Sequence, residues 1–152
     1  MGVLMTDYND PNEEERWCEE ERTKVKIYLE QAGVLHGKIG EWPAWHIAPY
    51  VSIWAIESMK APGSVGWWVI SGDGPTDYVS AEEIKHPRDA LRAIGQQWEE
   101  ISEHMSSGHV HPSGNIGRRE DWPELAPLLA DRAAVLLKWA NDESMWDQED
   151  AL

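Results

Sequence analysis

Three groups of side chains in this chain have the chemical types that metal binding, proton transfer or ligand stacking requires. The first group joins a carboxylate to imidazoles. Glu100 and His104 are four residues apart and would share a face of a helix, and His109-x-His111 follows after a glycine-containing loop. Such ligands suit zinc or another divalent transition metal. Since the spacing matches no established zinc signature, separate solvated histidines remain the alternative.

The second group places carboxylates around a Gly-Pro corner. Asp73 and Asp77 flank this corner, and Glu57 and His46 lie in neighbouring segments. Carboxylates with a histidine can perform acid–base chemistry or hold a cation. The two aspartates also fit ordinary turn chemistry, in which they accept backbone N–H bonds. Glu57 lies in an apolar run and needs a polar partner, for which Arg88 and His46 are the candidates.

The third group is aromatic. The chain has ten tryptophans, four tyrosines and no phenylalanine. Such rings can stack on a sugar, a base or an organic cation, or they can fill a core. Both interpretations stay open, and the candidate ligand-binding residues are Trp42, Trp45, Tyr50, Trp54 and Trp67.

The first element that would position these groups is a helix. Asp10-Pro11-Asn12-Glu13 has the pattern of an N-cap, a first-turn proline and a capping-box acid, and Gly33 is a stop signal. The pattern predicts a helix over 11–32. An irregular segment rich in proline and glycine follows, with a short extended piece expected around 44–47.

A small sheet is expected next. Residues 50–58 are β-branched and aromatic, which favours a strand, although Pro49 and Ala61-Pro62-Gly63 would also suit the ends of a helix. Together with 66–72 and 77–80, this segment predicts a three-stranded antiparallel meander.

The remaining chain is expected to be helical. Apolar stripes predict helices over 87–105 and 122–140, the second with Asp121 as its cap. The fold class is therefore α+β. Because the helices can cover both faces of the sheet, Trp67 and Trp68 can both be core residues although they point in opposite directions. We expect one domain over 1–152, with frayed ends at 1–9 and 147–152.

The net charge of the chain limits the classes of partner that it can bind. There are 28 acidic and 13 basic side chains, a formal net charge of −15, which disfavours nucleic acids and anionic membrane surfaces. No apolar run is long enough to span a membrane. Acidic charge suits a basic protein partner, a cation or simple solubility.

The single cysteine, Cys18, excludes an intrachain disulfide. It is followed directly by three glutamates, whose charge disfavours a thiolate, so a nucleophilic role is not expected. A cytoplasmic location is the economical interpretation.

Several motifs resemble those of a bacterial family of small, acidic, tryptophan-rich proteins that is catalogued as a domain of unknown function. The resemblance covers about 10 to 146. It implies a bacterial cytoplasmic protein and carries over no catalytic residue. The motifs are Trp42–Tyr50, Trp54–Glu57, Gly66–Asp73, Pro75–Tyr78 and His86–Arg88.

These observations predict a binding protein, rather than an enzyme, whose acidic surface engages a basic protein partner in the manner of an inhibitor or immunity protein. The alternative is a small-molecule binder or enzyme with a tryptophan-lined pocket that contains carboxylate and histidine groups. No cofactor is expected apart from a divalent metal at the first group, and the sequence leaves the oligomeric state open.

Overall fold

The first helix has the bounds that its capping residues predict. A computed structural model describes residues 6–111 and 117–146, and helix α1 spans Pro11–Ala32. The Asp10 carboxylate accepts the N–H of Asn12 at 2.9 Å, and Gly33 ends the helix in the left-handed conformation with a φ of 69°. The predicted helix over 11–32 is confirmed. Its buried positions are Trp17, Cys18, Glu21, Val25 and Leu29.

The sheet has four antiparallel strands, so the prediction of three strands is wrong by one. The additional strand is the extended piece expected around 44–47, and a tight turn closed by Tyr50 N–H and Ile47 C=O at 2.8 Å joins it to the next strand. A three-residue strand carries little periodicity, and prolines on both sides hide it further. In spatial order the strands are β1 (Trp45–Ile47), β2 (Val51–Glu57), β3 (Val65–Gly72) and β4 (Asp77–Ser80).

The segment 50–58 is a strand and not a helix, as predicted. β2 pairs with β3 along its whole length, with a register irregularity between Ile56 and Glu57. Its first four residues are all buried, so apolar side chains are needed on both faces of the sheet.

One face of the sheet packs against α1. Apolar side chains from the helix and from β2 and β3 form the cluster, and partly buried Trp67 packs against it. The hydroxyl of Ser52 accepts the indole N–H of Trp54 at 2.9 Å and lies 2.8 Å from the hydroxyl of Ser71, which satisfies these buried polar groups. The cluster residues are Val25, Leu29, Ile39, Trp54, Ile56 and Val69.

The opposite face of the sheet is buried as well. Trp45, Ile53, Trp68 and Ile70 alternate with the residues that face α1 and are all buried. The Trp68 indole N–H donates to the carbonyl of Ile84 at 2.8 Å. The adjacent tryptophans of β3 therefore belong to two different packed layers.

The chain divides into two compact units, Met1–Pro87 and Arg88–Leu152. The predicted helices over 87–105 and 122–140 are confirmed as α2 (Pro87–Ser106) and α3 (Trp122–Asn141). Short 3₁₀ helices at Arg119–Asp121 and Glu143–Met145 flank α3. The single domain over 1–152 stays a prediction.

One expectation about an element end needs correction. Asp121 makes no capping hydrogen bond through its side chain, because the chain already enters α3 in a helical conformation from the preceding 3₁₀ helix. Residues 7–10 form a turn closed by Asp10 N–H and Asp7 C=O at 3.0 Å, and the expected fraying of 1–9 stays a prediction. The expected fraying at 1–5 and 147–152 lies outside the described residues.

Over residues 6–111 and 117–146, none of the helices combines the length and the apolar character that crossing a bilayer requires.

Candidate functional site

The imidazole of His46 is held by an acidic and aromatic cluster in the first unit. Its Nε2 atom lies 3.3 Å from Oε2 of Glu14. The Trp17 ring stacks on it with centroids 6.2 Å apart, and the Trp42 ring approaches edge-on at 5.6 Å. These three neighbours fix the orientation of the imidazole, so the pair presents a positioned carboxylate and ring.

Helix α1 and strand β1 bring the pair together. Glu14 and Trp17 are three residues apart on α1, so they lie on one side of the helix. His46 is the cross-strand partner of Ser52, which shares its face with Trp54. Because Trp54 packs against α1, His46 points toward the same helix.

A solvent-open pocket of about 480 Å³ lies beside this pair. The Tyr50 side chain is 52% exposed, and nearby Trp42 is 46% exposed. Asp7, Glu14, Tyr8 and Tyr50 all line this space. Carboxylates and phenol rings are groups that hold an ammonium or guanidinium ion, by charge and by contact with the ring faces. The walls include Asp7, Tyr8, Glu14, His46, Pro49 and Tyr50.

The five aromatic candidates do not share one pocket. Trp45 and Trp54 are buried, and the Trp54 N–H is already bonded to Ser52. Tyr50 lines the pocket beside His46, whereas Trp67 lines a different one. The exposed Trp42 contacts His46 by its ring edge.

Glu57 is partnered by backbone amides. Its carboxylate accepts the N–H of Gly63 at 3.0 Å and that of Lys38 at 3.3 Å, and these bonds hold the pKa of Glu57 below its ordinary value. Of its two expected partners, His46 lies against Glu14, and Arg88 donates to the Ala140 carbonyl at 2.7 Å. Glu57 therefore fastens the β2–β3 turn.

The two aspartates lie at the other end of β3. Asp77 accepts the N–H of Tyr78 at 2.8 Å, and Asp73 donates its N–H to Tyr50 at 3.1 Å. Burial, followed by the charge of Asp77 and the neighbouring Tyr78, raises the pKa of Tyr28 to about 12. These contacts of Asp73 and Asp77 are those of residues in a turn, and that of Tyr28 is the contact of a partly buried core residue.

In the second unit, three of the four candidate metal ligands lie close together. His111 Nε2 lies 3.3 Å from a carboxylate oxygen of Glu100, and its ring meets that of His104 edge-on at 4.7 Å. His109 donates its backbone N–H to His104 C=O at 2.8 Å. Over residues 6–111 and 117–146, however, no group of three or more His, Cys, Asp or Glu side chains is arranged to hold a metal ion.

The lone cysteine, Cys18, is buried on α1 next to Trp17 in the sequence. Burial, followed by the charges of Glu14 and Glu21, raises the pKa of the Cys18 thiol to about 11. The thiol is therefore protonated and enclosed, which excludes it as a nucleophile near neutral pH.

Sequence reasoning missed Glu14, Trp17, Tyr8 and Asp7 as site residues. By position alone, Glu14 fits an ordinary first-turn acid of α1, and Trp17 fits the apolar stripe of the same helix. The spacing of three between them was the available signal, because it puts a carboxylate beside the buried edge of the helix.

The comparisons with known proteins agree with the resemblance seen in the motifs. No curated protein and no solved structure matches the chain. The family model described as "Domain of unknown function (DUF4826)" matches residues 12–146, which include the whole sheet and all of helix α1 except Pro11. The chain therefore belongs to the DUF4826 family.

Proposed function

We propose that this protein is a non-enzymatic binding protein of the bacterial cytoplasm, and that an arginine or lysine side chain of a basic protein partner enters the pocket beside His46. The observation that carries the proposal is the convergence of Asp7 and Glu14 with Tyr8 and Tyr50 on one open pocket. A cation there gains from carboxylates and from aromatic faces at once.

The charges around the pocket also favour a positively charged partner. Glu15, Glu19 and Glu20 are exposed on α1, beyond the pocket wall formed by Glu14. The formal net charge of −15 adds a long-range attraction for a basic surface. Such a field accelerates encounter and weakens as salt is added. The single, buried Cys18 fits a reducing compartment.

The expected strength of the contact follows from its parts. A charge-assisted hydrogen bond contributes about 1.5–3 kcal/mol and a cation over an aromatic ring about 0.5–2 kcal/mol. Since about 1.4 kcal/mol is a tenfold change in affinity, loss of the carboxylate should weaken binding by about tenfold or more, and loss of the ring by about twofold to thirtyfold.

The test is a calorimetric titration with a short arginine-rich peptide at low and at high salt. Glu14→Gln should weaken binding by about tenfold, whereas Glu30→Gln, which removes the same charge near the other end of α1, should change it by less than about twofold. Tyr50→Ala removes an exposed ring without disturbing the Glu14–His46 contact. Equal effects of the two glutamate variants, or affinity independent of salt, would contradict the proposal.

A further inference from the structure

A second pocket of the first unit begins where α1 ends. The helix terminates at Gly33 with a φ of 69°, and the chain leaves it through Val34 and Leu35. The sheet extends beyond this point, so Trp67 of β3 and Tyr78 of β4 are left at the floor of a pocket of about 650 Å³. Small-molecule sites typically measure about 300–1,000 Å³.

The floor of this pocket is an ordered aromatic surface. The rings of Trp67 and Tyr78 lie edge to face with centroids 5.4 Å apart, and Tyr28 contacts Tyr78 at 6.1 Å. A side chain at Gly66 would lie 2.8 Å from Cα of Ser58, so only glycine permits the close approach of these two segments. The floor is therefore held in place by the Tyr28 ring of α1 and by the close approach of Gly66 to Ser58.

The mouth of the pocket is apolar and open to solvent. Leu35 is 81% exposed, Met59 is 61% exposed and Val65 is also exposed, and all three line the pocket. Single exposed apolar residues are common, but three around one cavity with an aromatic floor make a contiguous apolar surface. Such a surface gains free energy when a ligand removes it from water.

The lining also contains polar side chains that can donate hydrogen bonds. The Ser58 hydroxyl accepts the N–H of Lys60 at 3.1 Å, and the Ser80 hydroxyl accepts the N–H of Glu82 at 3.1 Å. Each hydroxyl keeps its own proton for a further bond. The Lys60 ammonium adds a positive charge to the lining, and Glu82 is the acidic side chain in it.

We infer that this pocket binds a small, mainly apolar molecule with an anionic acceptor group, of the aryl or alkyl carboxylate or sulfonate class. The apolar part lies on Trp67 and Tyr78 between Met59 and Val65, and the anionic group lies toward Lys60 and the serine hydroxyls. This site is separate from the pocket beside His46, whose chemistry suits a cation, and it does not depend on the proposed basic partner.

The experiment titrates the full chain with anilinonaphthalene sulfonate, an aryl ring system with one sulfonate, and follows the ε-methyl of Met59 by carbon-13 NMR. The expected result is one probe per chain, a shift of the Met59 methyl signal, and competition by decanoate. Phenylnaphthylamine, the same ring system without the sulfonate, should bind more weakly.

Two substitutions and a matched control locate the probe. Met59→Ser should raise the dissociation constant by about fivefold to tenfold, and Lys60→Ala by about twofold to fivefold. Leu128→Ser is the control, because Leu128 on α3 has the same 61% exposure as Met59. Near-UV circular dichroism checks that each variant is folded.

Failure of the folded chain to bind the sulfonate probe would overturn the inference, as would binding that Met59→Ser leaves unchanged. Equal affinity for the neutral probe would overturn the anionic part. Capture of an apolar peptide with no binding of either small probe would also overturn it, since the groove would then be a protein contact.

Discussion

Replacement of Ser52 by alanine should be far more destabilising than removal of one hydroxyl group suggests. Ser52, Ser71 and Trp54 are fully buried, and their polar atoms form one network between β2 and β3. The Ser52 hydroxyl lies 3.1 Å from the Ser71 carbonyl, 2.8 Å from the Ser71 hydroxyl and 2.9 Å from the Trp54 indole nitrogen. The Ser52 hydroxyl therefore donates once, to the carbonyl, and accepts twice.

This assignment of donors and acceptors predicts that alanine at Ser52 and alanine at Ser71 lower the free energy of unfolding by different amounts. Ser52→Ala leaves two buried donors, the Trp54 N–H and the Ser71 O–H, without their acceptor. Each buried donor left unpaired costs about 1–3 kcal/mol, so the two together should lower the free energy of unfolding by about 2–6 kcal/mol. Ser71→Ala leaves both remaining bonds of Ser52 intact and should cost about 1 kcal/mol.

The assay is urea unfolding at equilibrium, with the free energy of unfolding taken at a constant m-value. A double-mutant cycle with Trp54→Phe isolates the indole bond, because Ser52→Ala should cost less once no N–H is left unpaired. A Ser71→Ala cost equal to or above that of Ser52→Ala, or a cycle with no coupling, would refute the assignment of Ser52 as the shared acceptor.

Three further predictions follow from backbone geometry and titration. Gly72→Ala should destabilise the chain by about 2–5 kcal/mol, because Gly72 has a φ of 152° and a side chain there would collide with the Tyr50 carbonyl. Gly63→Ala, at a φ of 90° with open space around it, should cost only about 1 kcal/mol in the same urea assay. Since the pKa of Tyr28 rises from 10.0 to about 12 on folding, its contribution is complete below 10 and is lost as pH rises toward 12. Tyr28→Phe should therefore flatten the alkaline fall in the unfolding midpoint, and an unchanged alkaline slope would contradict this. The pKa of Glu57 is lowered, so its contribution is present above its ordinary value of 4.5 and is lost as pH falls below it. Glu57→Gln should reduce the acid dependence of the midpoint, and a steeper acid dependence would count against it.

The elements whose ends are set by local chemistry were predictable from the sequence. The bounds of α1 follow from an aspartate, a proline and a glycine whose effects act within a few residues of the helix ends. Asp121 shows the limit of such signals. A cap requires a non-helical conformation at the cap residue, and the 3₁₀ helix before α3 removes it.

The candidate site was only partly predictable, because its contacts join distant segments. His46 was recognised as a chemical group, but its carboxylate partner is Glu14, which the pattern of α1 explains equally well as a dipole effect. The choice between Glu14 and Glu57 depends on where α1 crosses the sheet, and that position is a product of packing. In the same way, period-two alternation predicts that neighbouring tryptophans face opposite layers, but not which of the indoles remain open to solvent.

The length of α1 determines both candidate sites. At its first turns the helix lies over the end of the sheet that carries His46, so Glu14 and Trp17 reach the imidazole. At Gly33 it stops, so Trp67 and Tyr78, which pack partly buried against the α1 cluster, also line the second pocket. One pocket is therefore rich in carboxylates, because the acidic first turn of the helix forms its wall. The other has a larger apolar and aromatic share, because there the helix ends and leaves Trp67 and Tyr78 only partly buried. The different chemistry of the two pockets thus follows from where a single helix begins and where it ends.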